Sequence, residues 1–206
     1  TGTSFTYDIT APTISGGVAI TSATGIQNNL LNAGDNVSVT VTFSESVIVD
    51  NASGTPTLTL VVGSDNRTST YTSGSGSTPL VFQYTIQAGE TDADGISIEA
   101  NTLALNSGTI RDVAGNNATI TYSSVSANTS YKVDNTAPSV DNFTLSDTAL
   151  KAGDTATVTL VFSEAVASFS SSADITADNG TLATMTSSDN ITWTGTFTPT
   201  ANTEDA

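Results

Sequence analysis

Two stretches of this chain are written twice, in the same order, and that repetition limits the fold more than any other feature. Thr3-Ser4-Phe5-Thr6-Tyr7-Asp8-Ile9-Thr10-Ala11-Pro12 returns 126 residues later as Thr129-Ser130-Tyr131-Lys132-Val133-Asp134-Asn135-Thr136-Ala137-Pro138. The run AGDNVSVTVTFSESV, from Ala33 to Val47, returns 119 residues later, from Ala152, as AGDTATVTLVFSEAV. Ordered self-similarity of this kind is the signature of modules in series. It predicts one complete module over 11–136 and a second over 137–206, truncated at about half its expected length. Residues 1–10 read as the terminal strand of a preceding module, so the chain reads as an excerpt of something longer. The second copy is seven residues shorter between its landmarks, which places a longer loop at about 20–34 in the first.

Within the first module the apolar period is two. Val37, Val39, Val41 and Phe43 alternate with Ser38, Thr40 and Thr42, and Leu58 and Leu60 alternate with Thr57 and Thr59. Val81 to Ile86, then Ile96 and Ile98, continue the pattern. Alternation puts one side of each strand in a core and the other in water. Turn formers separate the runs: Ser73-Gly74-Ser75-Gly76-Ser77, Asp94-Gly95, Asn106-Ser107-Gly108 and Ala114-Gly115-Asn116. The abundant Thr and Val favour strands, since branched side chains pack well on a pleated surface. Seven or so short strands predict an all-β fold of tandem immunoglobulin-like antiparallel β-sandwiches.

Twenty acidic residues stand against Arg67, Arg111, Lys132 and Lys151, for a net charge of −16. A basic footprint for nucleic acid or anionic lipid is missing. The absence of Cys and His removes thiol nucleophiles, Ser-His-Asp arrangements and zinc sites built on nitrogen or sulfur. No apolar run approaches the roughly 18 residues that a membrane-spanning helix needs, so no direct membrane insertion is expected. Cysteine-free β-modules suit a large bacterial surface protein better than a eukaryotic secreted one.

The carboxylates are the candidate functional groups. Strand direction takes Glu45 and the Asp112-Asn116-Asn117 loop back to the pole where Asp8 enters the module. Three converging carboxylates repel unless a cation binds among them, and hard Ca²⁺ takes oxygen ligands of this kind. At the opposite pole lies Gly89-Glu90-Thr91-Asp92-Ala93-Asp94-Gly95. An intermodule Ca²⁺ held by Asp134, Glu164 and Asp92 or Asp94 is a second expectation. Each of these residues can also be an ordinary turn or strand-end residue that merely solubilises the surface. Asp-x-Asp-Gly lacks the later acidic residue of an EF-hand. Trp193, in alternation with Thr192 and Thr194, reads as core rather than as a platform for sugar. Glu45, Glu99 and the Asp pairs have no aromatic cleft around them to make a glycosidase site.

At these motifs the chain resembles the bacterial immunoglobulin-like tandem repeats of giant type I-secreted (RTX-type) surface adhesins. The matching features are the two Asp-x-Thr-Ala-Pro junctions, the Ala-Gly-Asp openings, Phe43-Ser44-Glu45 and Phe162-Ser163-Glu164. Arg111-Asp112-Val113-Ala114-Gly115-Asn116 and the Trp193 to Pro199 strand complete the set. The second module departs from the pattern in lacking an Asp-x-Ala-Gly-Asn segment. The resemblance implies an extracellular, non-enzymatic spacer that holds an adhesin away from the bacterial surface, often stiffened by calcium. Its partners would be neighbouring modules of the same chain and other copies in a filament or biofilm matrix. A module that binds carbohydrate or protein, or a surface-layer subunit, is the alternative.

Overall fold

The structure, a computed structural model, describes residues 7–201. The strand expected over 1–10 falls largely outside them, and Tyr7–Thr10 carry no regular structure and are exposed. The chain divides into two compact units, Thr1–Asn135 and Thr136–Ala206.

Unit 1 contains β1 (Ile14–Thr24), β2 (Leu30–Leu31), β3 (Asn36–Asp50), β4 (Thr57–Val62), β5 (Asp65–Ser73), β6 (Ser77–Thr85), β7 (Thr109–Arg111) and β8 (Lys132–Val133). One sheet runs in the order β1-β3-β6-β5-β4 with antiparallel neighbours. Strand β3 is its spine. Val37, Val39, Val41 and Phe43 are buried, while Ser38, Thr40 and Thr42 stay half-exposed on the other side, in the register that the alternation predicts. Pairing with β6 slips between Thr42 and Val47, and beyond that bulge Ile48–Asp50 pair with β7 instead. Bulges bend and twist a strand, so β3 serves both layers. Leu31, Ile96, Ile98, Leu103, Ile110, Tyr122 and Val133 join Val39, Leu58 and Phe82 in one core cluster. Each such side chain contributes about 1.5–3 kcal/mol on burial. The fold class is all-β, an immunoglobulin-like antiparallel β-sandwich.

The extra residues of the first copy are not simply a longer loop. Strand β1 continues to Thr24, and β2 pairs in parallel with β8, which leaves Leu31 fully buried. The repeated Ala-Gly-Asp is a turn device. Gly34 and Gly153 adopt φ of 97° and 94°, which suits a residue without Cβ. The Asp closes the loop: Asn32 N donates to Asp35 Oδ2 at 2.9 Å, and Lys151 N to Asp154 Oδ2 at 3.2 Å.

Unit 2 contains β9 (Val140–Leu145), β10 (Ala156–Phe162), the short α1 (Ser171–Asp174), β11 (Gly180–Leu182) and β12 (Thr192–Pro199). They form one antiparallel sheet of order β11-β12-β10-β9. Val158, Leu160 and Met185 are its buried centre, with Phe162, Phe169, Trp193 and Phe197 packed against them. Phe169 stacks edge-on to both Phe162 and Trp193, with centroids 5.5 and 4.9 Å apart. Trp193 is therefore a core residue.

Candidate cation site

Three separate pieces of unit 1 deliver carboxylates to one place. Glu45 lies on β3 just beyond buried Phe43, at the bulge. Asp112 follows β7, whose pairing with Ile48–Asp50 brings its end back toward that bulge. Asp8 sits in the entering segment. One oxygen of each carboxylate lies within 4.8 Å of the others.

Asn116 organises the group. Asp112 is buried, and its Oδ1 accepts the Asn116 backbone N–H at 2.7 Å while Oδ2 accepts Asn116 Nδ2 at 2.6 Å. The same Nδ2 donates to the carbonyls of Asp8 and Thr10 at 3.3 and 3.4 Å, tying the entering segment to the loop. Asp8 Oδ1 accepts the Thr10 N–H at 2.9 Å. Gly115, at φ 98°, permits the tight 112–116 turn.

The electrostatics follow from this packing. Glu45 is held above its ordinary pKa by loss of solvent and then by the charges of Asp8 and Asp112. Desolvation also pushes the Asp112 carboxyl up, but hydrogen bonds from the Asn116 side chain and the backbone of Asn116, Gly115 and Ala114 outweigh it and hold the group low. Ion pairs among the described residues are confined to Arg67, with Asp65 and Glu90, so no Lys or Arg forms an ion pair with the trio. An all-oxygen set with clustered negative charge suits Ca²⁺ in preference to thiophilic or imidazole-seeking metals.

Serine clasps follow the Asp-x-Thr-Ala-Pro segments in both units. Thr13 N donates to Ser44 Oγ at 3.0 Å and Ser44 N to the Thr13 carbonyl at 2.8 Å. In unit 2, Ser139 N donates to Ser163 Oγ at 2.9 Å and Ser163 N to the Ser139 carbonyl at 2.8 Å. The repeated Phe-Ser-Glu thus uses its Phe for the core, its Ser for this clasp, and its Glu at the pole. Residues 134–206 match the bacterial Ig-like domain family. Comparison with curated proteins found no match. Bacterial Ig-like domains are typically extracellular or surface-exposed and generally non-catalytic, which suits a surface structural or binding module. No helix among the described residues is long and apolar enough to cross a membrane.

The remaining expected ligands are placed differently. Asp92 is buried, and both its oxygens face backbone: Oδ2 accepts Gly63 N at 2.9 Å and Oδ1 accepts Gly95 N at 2.7 Å. Its own N–H and C=O bond those of Val133, so it stitches two turns to β8. Asp94 is exposed, and Asp134, half-buried, donates its N–H to the Leu31 carbonyl at 2.9 Å. In unit 2, half-buried Glu164 corresponds to Glu45, and its Oε1 is buried without a hydrogen-bond partner. One buried group escaped the sequence reading. Glu90 accepts from Arg67 Nε, Tyr84 Oη and Gln87 N, anchoring the loop before Asp92. Burial and the Glu90 hydrogen bond push the Tyr84 phenol up. The separation of 23 positions between Arg67 and Glu90 gives no local signal of the pairing.

Proposed function

We propose that this chain is a spacer segment of a bacterial cell-surface adhesin or biofilm-matrix protein, and that it binds Ca²⁺ at Asp8, Glu45 and Asp112. The observation that carries the spacer reading is how unit 1 holds its exit strand. Lys132 and Asp134 donate backbone N–H groups to Asn29 and Leu31 on one edge, while Val133 exchanges two hydrogen bonds with Asp92 on the other. Asn135 then takes Ala33 N–H on its Oδ1 and donates Nδ2 to the Gln87 and Glu90 carbonyls, at 2.6, 3.1 and 2.8 Å. Tension along that strand loads these bonds in shear, so they must break together rather than unzip singly. A module that transmits force needs this slow forced unfolding, which depends on the unfolding barrier.

Calcium supports the same role at the entering end, where Asp8 would be tied to Glu45 and Asp112 through the ion. Single-molecule pulling on the chain through terminal handles tests both parts. The expected result is one abrupt rupture for unit 1, at a force above that of an unzipping hairpin, falling when a chelator is added. Gradual yielding at hairpin-like force would overturn the spacer reading. Rupture forces and melting curves unaffected by millimolar Ca²⁺ would overturn the calcium reading alone. At a hundred times its dissociation constant, a ligand of the folded state adds about 2.7 kcal/mol.

A further inference from the structure

Asn179-Gly180 is the sole Asn-Gly pair in the chain, and the fold gives each residue a reason to be there. Asn179 leads into β11 at φ 58°, a left-handed conformation that asparagine tolerates and most side chains do not. A Cβ at Gly180 would drive into the Phe197 ring and lie 2.8 Å from the Thr198 carbonyl oxygen, so glycine is the residue that fits. The same pair is chemically labile. The backbone nitrogen that follows an asparagine can attack the side-chain carbonyl, and glycine, lacking Cβ, hinders that attack least.

Whether the attack occurs depends on what holds the two reacting groups. Asn179 is exposed, and no hydrogen bond among the described residues holds its side chain. The Gly180 nitrogen is free by register. Bonded and unbonded pairs alternate along an antiparallel ladder. Thr200 N donates to the Asn179 carbonyl at 2.9 Å and Ala183 N to the Thr196 carbonyl at 2.8 Å, so positions 179, 181 and 183 face β12. Gly180, opposite Pro199, therefore turns its N–H away from β12, and β11 is the edge of its sheet. Elsewhere the fold withholds one group or the other. Asn32, Asn51 and Asn117 precede alanines whose N–H groups are donated to Asn135 Oδ1, Asp50 Oδ1 and the Ile110 carbonyl. Asn106 is tethered by its own Nδ2 to the Thr55 carbonyl and Thr57 Oγ1. Asp94-Gly95, the one Asp-Gly pair, is blocked because buried Gly95 donates its N–H to Asp92 Oδ1 at 2.7 Å.

We propose that Asn179-Gly180 is a site of spontaneous, one-way modification that converts the amide to a carboxylate and loosens β11 from its sheet. Gly180 N gives its proton to hydroxide and bonds to Asn179 Cγ. The bond from Cγ to the side-chain nitrogen breaks, and ammonia leaves with a proton taken from water. Water then opens the resulting succinimide ring at either carbonyl. One opening restores the original backbone with an aspartyl side chain; the other leaves an isoaspartyl linkage routed through Cβ and Cγ. Nothing is oxidised or reduced, and water is the only co-reactant. Ring closure needs the turn to swing, and β11, three residues long at a sheet edge, opens at little cost. Both products place a carboxylate beside Asp178, and the isoaspartyl form turns the carbonyl that accepts Thr200 N–H into that carboxylate.

The test is to age the chain natively and in urea at mildly alkaline pH and to map its peptides by mass spectrometry with isoaspartate detection. In the native chain, acid should accumulate at position 179 severalfold faster than at Asn32, Asn51, Asn106 or Asn117, at a rate that rises with hydroxide. Asp94 should isomerise in urea but not in the native chain. Asn179→Gly keeps the left-handed turn and should abolish the ageing shift in ion-exchange chromatography. Trp193, the sole tryptophan, should report a lower urea midpoint for the aged chain, and the tyrosines of unit 1 an unchanged one. The modification site is overturned if the Asn179 amide survives natively while converting in urea, if the other four asparagines or Asp94 react natively as fast, or if Asn179→Gly ages alike. An aged chain with an unaltered Trp193 midpoint overturns the loosening of β11.

Discussion

Replacing Asp92 by Asn preserves the side chain's shape and removes one of its two acceptor oxygens. In the native protein both oxygens accept backbone N–H groups, from Gly63 and Gly95, inside a residue only 3% exposed. The Asn amide must turn its NH₂ toward one of those donors. A buried donor left facing another donor costs about 1–3 kcal/mol, and the surviving bond loses its charge assistance. Uncharging the side chain returns part of this by lifting a desolvation cost. A net loss of about 2–3 kcal/mol remains. For a domain of this size each kcal/mol moves Tm by roughly 4 °C, so unit 1 should melt about 8–12 °C lower. The chain carries its own internal control. All five tyrosines lie in unit 1 and the one tryptophan in unit 2, so near-ultraviolet circular dichroism and Trp193 fluorescence follow the two units separately. Urea unfolding should show the tyrosine-detected midpoint falling while the Trp193 transition stays in place. Because the Asp92 oxygens are engaged with backbone, the loss should be the same in chelator and in millimolar Ca²⁺. A loss seen only with Ca²⁺, or one under about 0.5 kcal/mol as at ordinary surface sites, would refute the reasoning.

Glu45→Gln should weaken Ca²⁺ binding in calorimetry yet raise the melting temperature in chelator, because it removes one of three mutually repelling charges. Glu45 is raised above its ordinary 4.5, so the fold favours its protonated form; without metal, stability falls as pH rises through that raised value, and the gap between calcium and chelator melts should widen over the same range. Asp112 has the opposite sign: it lies below its ordinary 3.8, contributes stability above that value, and loses it as acid takes pH through the lowered one, a dependence that Asp112→Asn should remove. Asn116→Ala, which strips the outer support of Asp112, should cost on the order of 10–100-fold in calcium affinity, read by titration. Gly54→Ala places a Cβ 1.6 Å from the Asn106 carbonyl oxygen and should destabilise unit 1 by more than Gly89→Ala, whose φ of 83° is strained but whose Cβ meets nothing within 4 Å; paired urea midpoints check the order.

Much of the local structure is legible in the sequence because it depends on neighbours along the chain. The two-residue period from Val37 to Phe43 determines which side of β3 is buried, whatever strand lies beside it. Ala-Gly-Asp determines a turn, since the glycine supplies a left-handed conformation and the aspartate closes on an amide three residues away. The duplicated landmarks place the same Ala-Gly-Asp turn and Phe-Ser-Glu strand end in each of the two units. Tertiary structure decided what depends on partners far apart in the chain. Asp8, Glu45 and Asp112 converge only because β3 bends at its bulge and hands its end to β7. Asp92 and Asp94 look alike in the sequence, yet folding buries one on backbone amides and leaves the other in water. The same holds for the cover: Ile20 and Leu145 occupy equivalent register positions in repeated strands. One is buried and the other open because burial depends on the opposite layer, and no residue in a strand encodes what packs over it.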